Sequence, residues 1–475
     1  MSTPLQASQS GNISKLEITS KSGDIVDVSA GVVLCDYYES ILDSSVRFSI
    51  VIVDTGNTSD GKKNSITILQ DLKLTGSEKV NLTIEDNLGN KLKFAGDNDL
   101  YILEIRNIIS SAENTIFTLD LVSRELIAND LLACEVYKRF DGEISQSVAL
   151  ILNENLKTKK NINLDATANV HNFAGKGKKP FTLLAEIATK AVSQSSESSA
   201  GYLIYETYEG FNFRSIDTLF DDGEENYKSF IYNSTTELPG GYDGKIITFD
   251  ANKTVNVRQN LVAGTYGSKL ETFDTYTHIF NTKSQEIGSD EQKIHGGSEV
   301  AKLNDEFESE FATDGQLASR RFTRVDAKGE FPDGNVKEQI EKQRDSNLIL
   351  EEVILQSAMT YNKLFSLSVE IVVVGDYSLR AGQLVHCDFP EQSSKDQTGI
   401  DKELSGLYII CDICTHLTSK TLLTKMHLIR DSYGRVPKKN NTSNSSSGSQ
   451  SNWANLIGSS GNFNIKDFTG QSGKY

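Results

Sequence analysis

The chain has 475 residues, with 48 Lys+Arg against 65 Asp+Glu and a formal net charge of −17; that length allows roughly three or four domains. So acidic a chain has the wrong sign for gripping a phosphate backbone or an anionic membrane surface. Five cysteines, odd in number and without framework spacing, point to a reducing compartment. The polar opening "MSTPLQASQSGNISK" and the lack of any apolar run near ~18 residues predict neither a signal peptide nor a membrane span.

Residues 1–12 read as a polar arm. From 13 to 126 the pattern is strand and turn: Val46, Phe48, Ile50 and Ile52 alternate onto one face, as do Phe117, Leu119 and Leu121. "TGNTSDGKKN", "TGSE" and "NLGN" separate such runs, which predicts a small antiparallel barrel or sandwich. Near 127 the period changes. Val148, Ile151, Leu152 and Leu156 fall at helical spacing after Ser145 as the expected cap. Pro180 suits a first helical position, with Leu184, Ile187, Ala188 and Ala191 along one face. Residues 127–220 therefore read as an α/β domain.

It ends in "GYLIYETYEGFNFRSIDTLF" (201–220). A two-residue Glu209-Gly210 turn there would set Tyr208 against Phe211, Tyr205 against Arg214 and Leu203 against Ile216, with Phe213 and Ile216 buried. A sugar-stacking platform would use the same aromatics; the packing hairpin is the simpler reading. Residues 221–335 read as an irregular acidic insertion with short strands in "KIITFD" and "VNVRQNLVAG". A helix from about 335 into the 350s opens the block 336–435, otherwise a second strand-rich barrel. Residues 436–475 are a Ser/Asn-rich linker and a tail. The expected fold class is α+β, mainly β: two antiparallel β-barrel domains with α/β segments between them.

An internal echo supports two copies. Leu100-Tyr101-Ile102 matches Leu407-Tyr408-Ile409 without a gap, and Thr115 to Thr118 matches Thr421 to Thr424 with a small shift. Leu121-Val122 matches Leu428-Ile429, and "LTGSEKV" (74–80) parallels "LRAGQLV" (379–385).

Catalytic chemistry is hard to find. "FAGKGKKPF" lacks the Ser/Thr and spacing of a phosphate-binding loop, and reads as a basic loop feeding the Pro180 helix. Cys411 and Cys414, with His416 and His386-Cys387, suggest zinc at first sight. On a regular strand an offset of three puts the two thiols on opposite faces, so they read as core cysteines. His278 and His295 fall in polar segments, and pairs such as Asp221-Asp222 define no cleft. No catalytic, metal or cofactor residue is expected.

Two groups are candidates for partner contact. Arg320, Arg321 and Arg324 form a basic cluster in an acidic segment, either a solvated, ion-paired face or a subunit contact. Beyond the linker, Trp453, Leu456, Ile457, Phe463, Ile465 and Phe468 restore apolar anchors suited to docking on the chain's own subunit, a neighbouring one or a partner.

Several stretches, taken in order, resemble the baseplate hub proteins of contractile-tailed phages. "LEITSKSGDIVDVSAGVVLCDYYESILDSSVRFSIVIVD", with an acidic-aromatic, helix-prone "YYES" ahead of a strand ending in Asp, is similar to the family's opening; a turn like Gly76-Ser77-Glu78 follows. "KPFTLLAEIATKA" and "YLIYETYEGFNFRSIDTLF" resemble its helix and hairpin, and "VVVGDYSLRAGQLVHCDFP" resembles the turn and strand of its second barrel. The matches cover most of residues 13–435; the tail beyond 436 matches nothing in the family.

The resemblance implies a non-enzymatic homotrimer whose two tube-like barrels per chain form a pseudo-sixfold trimeric ring. Such a ring joins the tail tube protein to a separate central spike protein. It also meets tape measure and baseplate wedge proteins and passes DNA without binding it specifically. The place implied is the virion tail, assembled in the host cytoplasm. A hub of a protein-injection machine without a genome is the alternative; a tail-borne cell-wall hydrolase and a receptor-binding adhesin are the remaining rivals.

Overall fold

Alternation of apolar and polar residues builds the first third of the chain. Eight strands run β1 (Asn12–Thr19), β2 (Ile25–Asp27), β3 (Val32–Ser40), β4 (Arg47–Asp54), β5 (Lys79–Glu85), β6 (Lys91–Phe94), β7 (Leu100–Ser110) and β8 (Thr115–Ser123). The computed structural model describes residues 11–56, 67–111, 114–195, 200–223, 227–232, 244–252, 256–273, 278, 280–286, 294–300, 302–312, 317–325, 334–339, 350–391 and 400–434. Val46, Phe48, Ile50 and Ile52 are buried together, as are Phe117, Leu119 and Leu121. The helix-prone "YYES" is instead the end of β3. Its Tyr37 ring stacks on Phe48 at 4.6 Å and meets Phe94 edge-on, and that buried area outweighs local propensity.

The α/β segment holds β9 (Arg139–Phe140), β10 (Ile162–Leu164), β11 (Phe173–Ala174), β12 (Tyr202–Thr207) and β13 (Gly210–Ser215), with helices Ile144–Leu150 and Pro180–Ala188. Val148, Ile151, Leu152 and Leu156 are buried, as their spacing predicts. The cap position, however, is Glu143, and Ser145 is the second helical residue. The 201–220 hairpin also differs from expectation. Leu203 faces Arg214, Tyr205 faces Asn212 and Thr207 faces Gly210, so the turn is Tyr208-Glu209. Gly210 then opens β13 at φ +129°, where a Cβ would sit 2.2 Å from the Asn161 carbonyl oxygen. The glycine serves this close backbone approach.

The remaining strands are β14 (Lys228–Tyr232), β15 (Gly244–Asn252), β16 (Gly267–Phe273), β17 (Phe280–Glu286), β18 (Arg320–Val325), β19 (Leu367–Val374), β20 (Leu384–Asp388), β21 (Gly406–Thr418) and β22 (Leu422–Arg430). "VNVRQNLVAG", expected as a strand, is instead the helix Val257–Ala263. Asn256 caps its start by accepting from the Gln259 N–H, and Gly264 ends it at φ +81°. The later helix runs Leu350–Leu364; residues 340–349 lie outside the described ones.

The fold is α+β, mainly β. One sheet runs β2-β1-β5-β7-β8-β4-β3-β21-β20-β14-β15-β19-β22, and β22 returns to β21. That return closes β21, β20, β14, β15, β19 and β22 into a six-stranded barrel around Val369, Ile371, Tyr408, Ile410, Met426 and Leu428. In the first copy β1, β5, β7, β8, β4 and β3 run in the corresponding order. Among the described residues no ladder joins β1 to β3; the Val28 N–H donating to the Leu16 carbonyl extends the β1–β2 pairing toward that seam.

Candidate assembly interface

The two copies share irregularities as well as strand order. Both β3 and β15 carry a bulge, at Val33 and at Ile247. Both β7 and β21 carry one, at Leu103 and at Cys411, and β7 adds a second between Arg106 and Ile109 that β21 lacks. Ser77 (φ +66°) donates its N–H to Ile102 just as Gly382 (φ +85°) donates to Ile410. Independent strands would not repeat bulges and a left-handed turn at matching places. The match corrects the sequence alignment by one residue: Ile102 corresponds to Ile410, and Leu100 to Tyr408. Leu100 and Tyr408 are both fully buried, whereas a one-residue slip would turn every side chain of the strand over.

The copies join edge to edge. The second half of β21, Asp412 to Thr418, pairs antiparallel with β3 from Ser40 to Leu34. Leu417 and Leu422 of the second copy complete the core of the first. By the internal equivalence, the edge of β7 that corresponds to this part of β21 is 104–110, and the edge of β15 that corresponds to this part of β3 begins at Thr248. Beyond the short contact of Leu100 and Tyr101 with β5, β7 pairs only with β8 among the described residues. β15 meets β14 only through Gly244 to Ile246. Ile108 and Ile109 stand 55% and 65% exposed on the otherwise polar β7 edge, and an open strand edge is a template for pairing with another chain.

Buried charges lock the modules beneath this sheet. The Glu39 carboxylate on β3 accepts from the backbone N–H groups of Tyr208 at 2.7 Å and Ala381 at 3.0 Å, and from the Tyr37 hydroxyl. One side chain thus ties the first copy to the hairpin and to the second copy. Burial pushes its carboxyl above the usual range, against the pull of the Arg380 guanidinium. Glu206 accepts from the Val46 N–H at 3.1 Å and pairs with Lys160, which also lies 3.2 Å from Glu125.

The sequence candidates fall elsewhere. Arg320, Arg321 and Arg324 lie on β18, the edge of the sheet β17-β16-β18. Arg320 donates to the Ala263 carbonyl and stacks over Phe322, and Arg321 pairs with Glu271 at 3.3 Å. Trp453, Leu456, Ile457, Phe463, Ile465 and Phe468 lie outside the described residues. His295, placed by the sequence in a polar segment, is buried and bonded to Asp217 at 3.0 Å. Cys411 and Cys414, expected on opposite faces, share one face because Cys411 is itself the extra residue of the bulge. The β7 edge and the Glu39 and Glu206 locks were missed. Adjacent isoleucines 108 and 109 after a strict alternation were the one available signal.

A scan against protein families finds no match, nor does a search of curated proteins. Solved structures similar to the chain are phage tail proteins and components of type VI secretion. The 43 kDa tail protein of prophage MuSo2 from Shewanella oneidensis is 11% identical with a TM-score of 0.49, covering 88% of this chain and 98% of that one. A tail protein from Neisseria meningitidis MC58 is 10% identical with a TM-score of 0.49, covering 88% and 96%. A type VI secretion component from E. coli, c3393, is 10% identical with a TM-score of 0.41, covering 89% and 79%. No helix among the described residues is long and apolar enough to cross a membrane.

Proposed function

We propose that the chain is the structural, non-enzymatic hub of a contractile-tail baseplate, three copies forming a ring of six barrels. The observation that carries this is the β3–β21 joint together with its two unpaired equivalents. Applied between chains, the same pairing sets the outer edge of β7 on one copy against the outer edge of β15 on the next, with Ile109 opposite Asp250. This contact is head-to-tail, so it closes into a ring when the rotation per barrel divides a full turn. Three chains with two copies each then present six similar surfaces to a hexameric tube and threefold symmetry to a spike. The numbers three and six rest on the sequence resemblance.

In this reading tail tube and central spike proteins are the partners, with tape measure and wedge proteins beside them. The face of the sheet turned away from both barrel cores lines a channel for DNA. It carries Asp36, Asp120, Asp412 and Glu370 with paired cations such as Arg106 and Lys425, and among the described residues offers no run of free positive charge to hold a phosphate backbone. The docking roles of the tail beyond 436 and of the β18 arginines belong to the same proposal.

The test is a cysteine pair, Ile109→Cys with Asp250→Cys, oxidised after purification. A covalent ladder ending at three chains, with threefold rings of six lobes in class averages, is expected. Monomers without cross-links, even when a spike protein is co-expressed, would overturn the ring.

A further inference from the structure

The bulge in β21 makes a constellation that the fold does not require. Ile410 stands opposite Leu428 and Asp412 opposite His427, so Cys411 is the extra residue between them. Ile410 and Ile413 point into the barrel core, whereas Cys411 packs outside it with Ile41, Ile409 and Ile429. Cys411 and the following Asp412 therefore leave the strand on the same side, where His427 of β22 meets them. Their ligand atoms lie within 4.8 Å of one another. His427 Nδ1 is 2.9 Å from Asp412 Oδ2, and Ser40 of β3 donates to Asp412 Oδ1 at 2.5 Å. The corresponding bulge of the first copy carries Leu103, with Glu104 opposite Asp120, and Asp120 is paired with Arg106. The first copy folds without thiol or imidazole at this place.

We propose that Cys411, Asp412 and His427 form a binding site for one Zn²⁺-like transition ion, with a water in the fourth position. Thiolate, imidazole and carboxylate together suit Zn²⁺ or Co²⁺ and disfavour Ca²⁺ or Mg²⁺, which take oxygen ligands. Metal–ligand bonds of about 2.0–2.3 Å at tetrahedral angles place ligand atoms roughly 3.3–3.6 Å apart. The imidazole and carboxylate atoms stand at 2.9 Å and no pair of ligand atoms exceeds 4.8 Å, so the group lies close to that spacing. The ion takes the place of the proton between His427 and Asp412, and the Cys411 thiol proton leaves to solvent as the Zn–S bond forms. Asp412 and His427 are 46% and 31% exposed and give the ion a way in. Ile41 and Ile429 keep the sulfur side dry, and Ser40 orients the carboxylate as an outer partner. Because Ser40 belongs to β3, a bound ion also stiffens the joint between the two barrels.

The test is Co²⁺ titration of the reduced, chelator-stripped full chain. A thiolate-to-cobalt charge-transfer band saturating at one equivalent and abolished by Zn²⁺ is expected. Cys411→Ser removes the band, His427→Gln weakens Co²⁺ binding at least tenfold, and Cys414→Ser, on the same face, leaves the band intact. Should Cys411→Ser fail to fold, alkylation of Cys411 in the wild type, read by mass spectrometry, decides: Zn²⁺ slows it at least tenfold. No charge-transfer band, a band that survives Cys411→Ser, or unprotected Cys411 would each overturn the site.

Discussion

Replacing Lys160 by methionine tests whether the modules are held by charge as well as by apolar area. The Lys160 side chain is 4% exposed and lies between Glu206, fully buried, and Glu125, 1% exposed. Glu206 reaches across to the Val46 N–H, and Glu125 accepts from Thr158 at 3.0 Å, so neither carboxylate can swing out without breaking a buried bond. Methionine keeps the apolar stem and removes only the cation. Glu206 would then lose its cation, a loss of about 3–5 kcal/mol for a broken buried ion pair, while Glu125 keeps Arg124 at 3.4 Å. The assay is chemical unfolding followed by circular dichroism, with hydrogen exchange of the β12 amides to assign the loss to this module.

The pH dependence supplies the discriminating signature. Lys160 faces two carboxylates, which hold its ammonium charged and raise its pKa against burial. At Glu206 full burial, with the neighbouring Glu125 charge, prevails over the pull of Lys160, and its pKa is raised above 4.5. An acid with a raised folded pKa contributes stability that is complete below the unfolded pKa and lost as pH rises through the folded one. The Lys160→Met deficit is therefore smallest below about pH 4.5 and grows as pH rises, and adding Glu206→Gln recovers more than half of it at neutral pH. A deficit under about 1 kcal/mol, or one indifferent to pH, would refute the reasoning.

Two other perturbations follow from single contacts. Gly210→Ala forces a Cβ against the Asn161 carbonyl at φ +129°, and should lower stability by at least about 2 kcal/mol, with earlier exchange of the β10–β13 amides; an unchanged unfolding midpoint would count against it. His295 is buried and faces Asp217, Asp221 and Asp431, and these charges raise its pKa above 6.5 against burial. Its contribution is complete below pH 6.5 and lost as pH rises through the raised value, so stability should decline across that window in the wild type and not in His295→Gln.

What the sequence made legible follows from how far each signal reaches along the chain. Alternation located β4 and β8 and their buried faces, and helical spacing located Val148, Ile151, Leu152 and Leu156, because both are written within one element. The echo between copies was visible for the same reason, though slipped by one residue in β7. A bulge leaves no local mark in composition, and only the opposing strand shows that Cys411 is the extra residue. The hairpin turn was misplaced because Gly210 looked like a turn residue, whereas its lack of a side chain serves Asn161, on the neighbouring β10 side. Glu39 and Glu206 were invisible as locks, since their partners lie 169 and 160 positions away at Tyr208 and Val46. "VNVRQNLVAG" failed by outweighing its own caps: β-branched residues suggested a strand, while Asn256 and Gly264 bracket a helix.

The duplication also explains why the two copies differ most at their edges. Within the chain, β3 and β21 are covalently tethered, so their pairing carries little association cost and can be long, polar and reinforced by Ser40–Asp412 and Asp36–His416. Between chains the same geometry must overcome the loss of free translation and rotation, which calls for apolar area at the contact. In the proposed ring, Ile108 and Ile109 on β7 would supply that area where the second copy has the polar end of β21. Closure of the second copy by β14 is the complementary adjustment: it seals the β15 end that would otherwise be a second open edge and leaves only the stretch from Thr248 onward to receive a neighbour. One edge of each kind per chain is what the proposed head-to-tail contact would need to grow without branching, and the rotation per barrel would then decide whether it closes.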